Sequence, residues 1–393
     1  MRVQAPAVPA DVAALASAPT AAAPAAPALA PSGPRRRHVL WGALAAVAGA
    51  SGTAIAVRQF ADRDAPSAKN RGGDVWSTLT VADSTVMSLA YSPDGRLLAV
   101  GCQDGTVRLC DTTTRTLVAT LATKAEEVRH LLFSPDGRTL ATGTALGTSK
   151  AELWDVATRT SRSTLDRYGP IGNVLAFSPD GRTLAVSGDD DLLMWDTAAG
   201  TLTATQTGDR GWLNVLAHSP DGKSLAIGGE RGRGHALRLW TPGSGKDPAV
   251  IETLDGAVES VAFTPDGRGV ITASRGKNGL RLTEPADPAG ASTAVLDQEA
   301  IQRAAISPDG STIAAVIMSD RTVKLASWSV ATRSRTTTVE LSGTFGSGIP
   351  VQPAFSPDGR MLATAGDDNT VRLWPLPLRA PSAPSQPPAS RRP

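Results

Sequence analysis

The stretch VMSLAYSPDGRLLAVGCQDGTVRLCD, from Val86 to Asp111, decides the fold of this chain. Two apolar runs flank the turn Ser92–Gly95, and a second turn at 103–106 leads into the alternating residues 107–109. Proline presets φ for the first turn position, and glycine supplies the positive φ that the tight turn requires. Runs of this length between turn signals are typical of β-strands, and a further run follows at 116–121. The stretch therefore predicts four antiparallel strands joined by tight turns.

The turn Ser/Thr-Pro-Asp-Gly occurs seven times, at intervals of 41 to 49 residues. Its aspartates are Asp94, Asp136, Asp180, Asp221, Asp266, Asp309 and Asp358. A regular period of this size indicates a repeat architecture, and four strands per repeat form one blade of a propeller. We therefore predict an all-β, seven-bladed β-propeller over residues 74–378.

Side-chain size recurs with the same period. The second predicted strand carries a small residue at one position in each unit: Ala99, Ala141, Ala185, Ala226, Thr272, Ala314 and Ala363. Small residues at fixed places allow twisted sheets to pack face to face around a narrow axis. The residue before each Ser/Thr is mostly large and apolar, with His218 as the exception, so we interpret His218 as a core position and not as a ligand or base.

The two ends of the repeat array complement each other. The seventh unit ends after its third strand at 370–375, and an unpartnered strand-like run lies at 75–81, before the first unit. We predict that this run supplies the outer strand of the last blade. Such pairing closes the ring and removes the exposed edges that an open array would leave.

The ends of the third strands carry a family resemblance. They contain the residues Trp154-Asp155, Trp195-Asp196, Trp240, Trp328 and Trp374. With the Asp-containing tight turns, this pattern resembles the WD40 repeat family over about residues 74–378. Family members often place a Gly-His pair before the first strand, and that His joins a hydrogen-bond tetrad. None of the four histidines occupies that position, so we expect incomplete tetrads and greater reliance on packing.

The flanking segments differ in composition from the repeats. Residues 1–34 are rich in Ala and Pro and predict a disordered tether, as the tail 379–393 does. Residues 59–73 form a polar linker, and 35–58 are predicted to be a transmembrane helix or a twin-arginine-like signal.

The uncharged run 39–57 follows three arginines, Arg35-Arg36-Arg37. Its length suits a single membrane span, and the preceding arginines predict a cytoplasmic N-terminus with the propeller outside the cytoplasm. Alternatively, Arg36-Arg37 begins a twin-arginine export signal that is cleaved near Ala54-Ile55-Ala56, which gives a secreted protein. A buried soluble helix is the third interpretation.

Composition and motifs favour a non-catalytic protein. The net charge of +2 gives no support to nucleic-acid binding. P-loop, kinase and Gly-x-Ser-x-Gly signatures are absent from the sequence, and four scattered histidines provide neither a triad nor a zinc site, so we predict no cofactor and no metal.

Cys102 and Cys110 flank one predicted hairpin, where Cys110 is expected opposite Ala99. This pairing places Cys110 about 10 Å from Cys102, which is too far for a disulfide.

The turns between the second and third strands of each blade are predicted to lie on one rim. Some of them are basic and others are acidic. The candidate binding residues there are Arg231, Arg233, His235, Arg275, Lys277, Asp190 and Asp367. Charged loop insertions suit the recognition of a protein or peptide, although ordinary solvated turns explain the same residues.

Two classes of function follow for a protein with these features. The first is a membrane-tethered, monomeric interaction scaffold, since the arrangement of tether, span and propeller resembles the WD40 half of actinobacterial receptor-type Ser/Thr kinases. The second is a propeller enzyme, such as a lactonase-like hydrolase, which would need a metal or acid/base cluster at the channel mouth. An extracytoplasmic small-ligand sensor is not separable from the scaffold by sequence. The abundance of Ala, Pro and Arg favours a bacterial source.

Overall fold

The computed structural model describes most of the repeat region. The described residues are 77–80, 84–143, 150–166, 174–187, 191–207, 213–231, 234–277, 279–285, 292–319, 322–341, 353–365 and 368–378. The predicted segments 1–34, 35–58, 59–73 and 379–393 lie outside these residues.

The described residues contain 28 strands, and every strand lies in a four-stranded antiparallel sheet. Strand β1 (Ser77–Thr80) precedes the first complete blade. The first two blades are β2 (Val86–Tyr91), β3 (Leu97–Cys102), β4 (Thr106–Asp111) and β5 (Leu117–Ala122), then β6 (His130–Phe133), β7 (Thr139–Gly143), β8 (Lys150–Asp155) and β9 (Thr160–Asp166). The third and fourth blades are β10 (Leu175–Phe177), β11 (Thr183–Ser187), β12 (Asp191–Asp196) and β13 (Thr201–Thr207), then β14 (Leu213–His218), β15 (Leu225–Arg231), β16 (Gly234–Trp240) and β17 (Ala249–Leu254).

The remaining sheets complete the set of seven blades within the described residues. The fifth and sixth blades are β18 (Val258–Phe263), β19 (Val270–Ser274), β20 (Leu280–Glu284) and β21 (Ser292–Asp297), then β22 (Ile301–Ile306), β23 (Thr312–Ser319), β24 (Thr322–Ser329) and β25 (Ser334–Leu341). The seventh blade contains β26 (Ala354–Phe355), β27 (Met361–Ala365) and β28 (Thr370–Pro375), with β1 as its outer strand.

The first strands of successive blades contact each other in ring order, and β2 also contacts β26. They therefore line a central channel, and the later strands of each blade lie progressively farther out. The ring is closed by β1, which pairs antiparallel with β28 from Ser77 opposite Leu373 to Thr80 opposite Thr370. The predicted seven-bladed propeller and its closing strand are both confirmed.

The repeated turn has the same hydrogen bonds in every blade. The Ser or Thr hydroxyl donates to the Asp carboxylate at 2.5–2.6 Å and accepts the backbone N–H five residues after itself at 2.9 Å. The same carboxylate accepts the N–H two residues after the Asp. Each turn therefore satisfies its own polar groups and fixes the register of the first two strands.

The turns also contact one another around the ring. Gly137 has φ +70°, and a Cβ there would lie 3.4 Å from Cδ of Pro93 in the preceding blade. At the seam, a Cβ on Gly95 would likewise lie 3.6 Å from Cδ of Pro357 in the last blade. A Cβ at either position would make only ordinary van der Waals contact with the proline, so it is the positive φ that requires glycine.

The core lies between the blades. The predicted small residues of the second strands, from Ala99 in the first blade to Ala363 in the last, are all 0% exposed, and Thr272 is as well. Large neighbours such as Leu98 and Leu140 are equally buried. Alternation of small and large residues thus lets each sheet pack closely on the next, as the sequence predicted.

The tryptophans differ in their hydrogen bonds. Trp374 Nε1 donates to Thr364 Oγ1 at 2.8 Å, while Trp328 Nε1 donates across the blade boundary to Asp297 Oδ2 at 3.0 Å. The Nε1 atoms of Trp154 and Trp195 are buried without a partner among the described residues. The expectation of incomplete tetrads agrees with these contacts.

Closure by β1 should be visible in stability. Leu79 is 7% exposed and packs in a cluster with core residues of β3 and β28. We expect Leu79→Ala to lower the free energy of unfolding by about 3 kcal/mol, since it removes a buried leucine at the seam. The matched control is Leu202→Ala on the outer strand of the third blade, where the side chain is 45% exposed and the loss should be small. Equal unfolding midpoints for the two variants in a urea titration would contradict closure through this strand.

The turn aspartates should make the folded ring less stable at acidic pH. The hydrogen bond from Ser134 lowers the pKa of Asp136 below its ordinary 3.8, and the other turn aspartates are lowered in the same way. The folded state therefore favours the carboxylate, and the resulting stability is complete above pH 3.8 and is lost as the pH falls through the lower folded pKa.

We expect Asp136→Asn to have a lower Tm than the parent at pH 6 and a gap that narrows toward pH 3, because the parent then loses the same charge. Asp247→Asn is the control, since Asp247 is exposed and makes no hydrogen bond among the described contacts. A gap of constant size from pH 6 to pH 3, measured by circular dichroism, would show that the carboxylate charge is not the cause.

Candidate functional site: the upper channel mouth

The upper rim of the ring is the end at which the inner strands begin. Residues at the start of each inner strand pair with the end of the second strand, as Val258 does with Ser274. The turns between second and third strands therefore surround the same channel mouth. The Ser/Thr-Pro-Asp-Gly turns lie at the opposite, lower rim.

A β-bulge recurs where the inner strands enter the channel. The register shifts between Val258 and Ser260 in β18 and between Ile301 and Arg303 in β22, and β2 and β14 show the same shift. The extra residues in the first two cases are Glu259 and Gln302. A bulge bends the strand and redirects a side chain, so it brings polar groups to the mouth of an otherwise apolar assembly.

Three charged residues of the fifth and sixth blades meet at this mouth. Arg275 Nε lies 2.7 Å from Glu259 Oε1, and Arg303 Nη1 lies 3.8 Å from Glu259 Oε2. Arg303 Nη1 also donates to the backbone oxygen of Glu259 at 2.5 Å. Burial lowers the pKa of Arg303 below its ordinary value, and the Glu259 carboxylate opposes that effect, so the guanidinium remains charged at neutral pH.

The second blade contributes another ion pair and a histidine. Arg129 donates to both carboxylate oxygens of Glu127, at 2.5 Å and 3.2 Å. The next residue, His130, begins β6. Its pKa is lowered to about 3, chiefly by burial and further by the positive charges of Arg303 and Arg129, so the imidazole is neutral at physiological pH.

The ring order of the inner strands places blades two and six on different walls of the channel, because β6 and β22 are separated by β26 and β2. Both strands begin at the upper rim, so Arg303 and His130 lie at the same channel mouth. We call Glu127, Arg129, His130, Glu259, Arg275 and Arg303 the channel-mouth cluster. Its three arginines exceed its two carboxylates by one charge, and the uncharged His130 lies within their field.

The sequence-predicted rim residues are distributed differently from this cluster. Arg275 belongs to it, and Lys277 is exposed in the same turn. His235 is half-buried in β16, and its Nδ1 is buried without a partner in the described part of the chain. Arg233, Asp190 and Asp367 lie outside the described residues, as does the side chain of Arg231.

One predicted loop is a strand extension. The basic segment of the fourth blade was expected to form a long loop between second and third strands, but Glu230 pairs with His235 and Arg231 with Gly234. The two strands therefore remain paired up to Arg231 and Gly234. The alternation of Gly with charged residues concealed the strand period, because glycine carries no side chain to show which face it occupies.

The cluster residues Arg129, His130, Glu259 and Arg303 were not identified as candidates from the sequence. Each lies at or beside the first residues of an inner strand. These positions precede the repeated residues that were compared between blades in the sequence analysis. Their signal was a charged or titratable residue in a strand that is otherwise apolar. At Glu259 and Arg303 the strand also bulges, so the usual alternation of buried and exposed positions does not hold there.

The two cysteines and the possible metal ligands are the remaining groups with reactive side chains. Cys102 and Cys110 are buried free thiols, and Cys110 lies opposite Leu98 and not opposite Ala99 as predicted. The prediction was wrong by one position because the turn is centred one residue differently. Among the described residues, no group of three or more His, Cys, Asp or Glu side chains is placed to hold a metal ion.

Comparison with known families agrees with this architecture. The chain matches the WD domain, G-beta repeat, at 115–155, 161–196 and 350–375, and the anaphase-promoting complex subunit 4 WD40 domain at 68–131. No curated protein matches the sequence. Four-stranded blades closed into a ring define a β-propeller, and the matched repeats specify its kind. The chain is a WD40 repeat protein.

His218 provides a test of the core interpretation. Both ring nitrogens are buried without a hydrogen-bond partner among the described residues, and burial lowers the pKa to about 4. Five of the other six blades have Tyr or Phe at this position. We expect His218→Phe to stabilise the fold by about 1 kcal/mol, because it removes unsatisfied polar atoms.

The gain should increase as the pH falls from 6.5 toward 4, since over this range the unfolded histidine takes up a proton that the folded one excludes. Urea titrations at pH 7.5 and pH 5 measure both effects. The conservative control is Phe263→Tyr at the equivalent position of the fifth blade, which introduces a polar atom without a group that titrates in this range. A variant less stable than the parent at both pH values would show that His218 has a role beyond packing.

Proposed function

We propose that this protein is a non-catalytic interaction scaffold that holds a partner protein or peptide at its upper rim. WD40 propellers in general mediate protein–protein interactions. The observation that carries the proposal is the channel-mouth cluster, where charged side chains from three blades meet at the end of a channel lined by rigid strands. Rigid strands that present polar groups at a concave mouth suit the recognition of a protruding segment.

The energetics of the rim support binding more than catalysis. The arginines and glutamates are already paired, so a ligand that binds to the remaining N–H donors leaves no buried charge without a partner. Burial, together with the charges of Arg303 and Arg129, lowers the pKa of His130 to about 3, and so weak a base is poorly suited to general-base catalysis at neutral pH.

We further propose that residues 39–57 tether the protein to the cell membrane, with the propeller on the extracytoplasmic side. The support is the sequence alone: an uncharged run preceded by three arginines. Residues 39–57 lie outside the described part of the chain. Within the described part, no helix has the length and apolar character needed to cross a membrane.

Location and mode of export can be separated by one pair of substitutions. Replacement of Arg36 and Arg37 by lysine keeps the positive charge that orients a span but removes the twin-arginine pair. For a retained anchor, we expect the variant to remain in the membrane fraction, with the propeller still accessible to protease from outside. Accumulation of the variant in the cytoplasm would instead support export by the twin-arginine route, and a cytoplasmic parent protein would refute both placements.

Affinity capture from membrane and culture fractions tests the scaffold itself. We expect the tagged full chain to retain a reproducible partner, and we expect Arg231→Ala with Arg233→Ala to reduce the recovered amount. The matched control carries Arg138→Ala with Arg182→Ala, two exposed arginines of the lower-rim turns, which removes the same charge at the opposite end. Failure to retain any partner above a tag-only control would refute the scaffold proposal. Stoichiometric Ca²⁺ or Zn²⁺ in the purified protein would favour the propeller enzyme instead.

A further inference from the structure

We propose that the channel-mouth cluster is a carboxylate-binding site, which receives an acidic side chain or the C-terminus of a partner polypeptide between Arg129 and Arg303. This inference rests on the proposed scaffold function and specifies the chemistry that the upper rim recognises.

The first argument is the origin of the arginines. Arg129 comes from blade two, Arg275 from blade five and Arg303 from blade six, so the cluster draws on both sides of the channel. The closed ring of blades around them fixes the positions at which their strands enter the channel wall. A group entering the mouth along the axis therefore meets cations from opposite walls.

The second argument is that the arginines retain unused donors. Among the described contacts, Arg303 uses only Nη1, and Arg129 uses Nε and Nη2 on Glu127. Each guanidinium carries five N–H donors, so both have donors available for another acceptor. Their side chains are 24% and 22% exposed for Arg129 and Arg303, which makes them accessible from the channel yet partly desolvated. Partly desolvated arginine is a strong partner for a carboxylate.

The third argument concerns the charge of the ligand. Glu127 and Glu259 remain at the mouth with side chains only 8% and 12% exposed. They leave the cluster one net positive charge, which matches a carboxylate. A phosphate monoester carries nearly two negative charges at neutral pH and would be repelled by both glutamates. The cluster is therefore better matched to a carboxylate than to a phosphate.

The neutral His130 completes the site. It lies within the field of Arg129 and Arg303, and no hydrogen bond to its side chain occurs among the described contacts. A neutral imidazole adds one N–H donor without a further charge. It can therefore contact the ligand without changing the preference for a monoanion.

Fluorescence anisotropy with the purified full chain tests the site with defined probes. The reference is a labelled Gly/Ala peptide with two central glutamates and an amidated C-terminus. The comparison peptides carry two glutamines with an amidated end, two glutamines with a free C-terminus, or one phosphoserine with an amidated end. We expect the glutamate peptide to bind about tenfold more tightly than the amidated glutamine peptide, since one charge-assisted contact is worth about that factor. The free C-terminus peptide identifies the source of the carboxylate.

Substitutions then locate the binding. We expect Arg129→Gln and Arg303→Gln each to weaken binding of the glutamate peptide about tenfold. Arg96→Gln, at a lower-rim arginine that is 82% exposed, is the matched control and should leave binding unchanged. Glu259→Gln should strengthen binding about threefold, because it removes a competing carboxylate. Circular dichroism verifies folding of each variant, and if Arg303→Gln does not fold, Arg129→Gln and Glu259→Gln still give effects of opposite sign.

Several results would overturn the inference. Equal affinity for the glutamate and both glutamine peptides would exclude carboxylate recognition, and tighter binding of the phosphoserine peptide would assign the site to phosphate. Equal losses in Arg96→Gln and Arg303→Gln would show nonspecific attraction. If affinity capture recovers a partner equally well with the Arg129→Gln and Arg303→Gln variants, the carboxylate site is refuted and the scaffold proposal stands.

Discussion

The hydrogen bond between the turn hydroxyl and the turn carboxylate is the constraint on which the ring depends. In every blade a Ser or Thr Oγ donates to an Asp Oδ1 and accepts a backbone N–H five residues later. These bonds set the register of the two inner strands, and the register places one small residue of each second strand at full burial. The neighbouring blade can then approach closely, and proline of one turn contacts glycine of the next. A local motif therefore determines both the shape of a blade and its distance from the next.

Much of the fold was predictable because its determinants are local and repeated. The turn positions, the number of blades, the small residues from Ala99 to Ala363 and the closing strand all follow from a pattern visible in a single unit. Errors arose where the pattern gave no periodic signal. The extension of β15 and β16 was concealed by glycines, and the partner of Cys110 was misplaced by one residue.

The candidate site was harder to predict because it depends on contacts between blades far apart in sequence. Arg303 bonds to the backbone of Glu259 in the preceding blade, while His130 begins an inner strand on a different wall of the channel. No spacing rule connects these positions, and the bulges of β18 and β22 interrupt the alternation on which strand prediction relies. Of the described residues that were selected from the sequence, Arg275 alone belongs to the cluster, because it lies in the turn between the second and third strands of the fifth blade.

Closure by β1 has a consequence for the order in which the molecule forms. This strand is among the first parts of the propeller to leave the ribosome, yet its partner β28 is the last strand of the ring to be synthesised. Until then the seventh blade lacks its outer strand, and the chain must keep a nascent edge unpaired throughout translation. Bringing the two ends of the chain together costs loop-closure entropy. The blades that have already formed reduce this cost, because they hold the intervening chain compact. A chain whose synthesis stops before residue 370 is therefore an open array with a free sheet edge. Such a chain is prone to aggregation and to degradation by quality-control proteases.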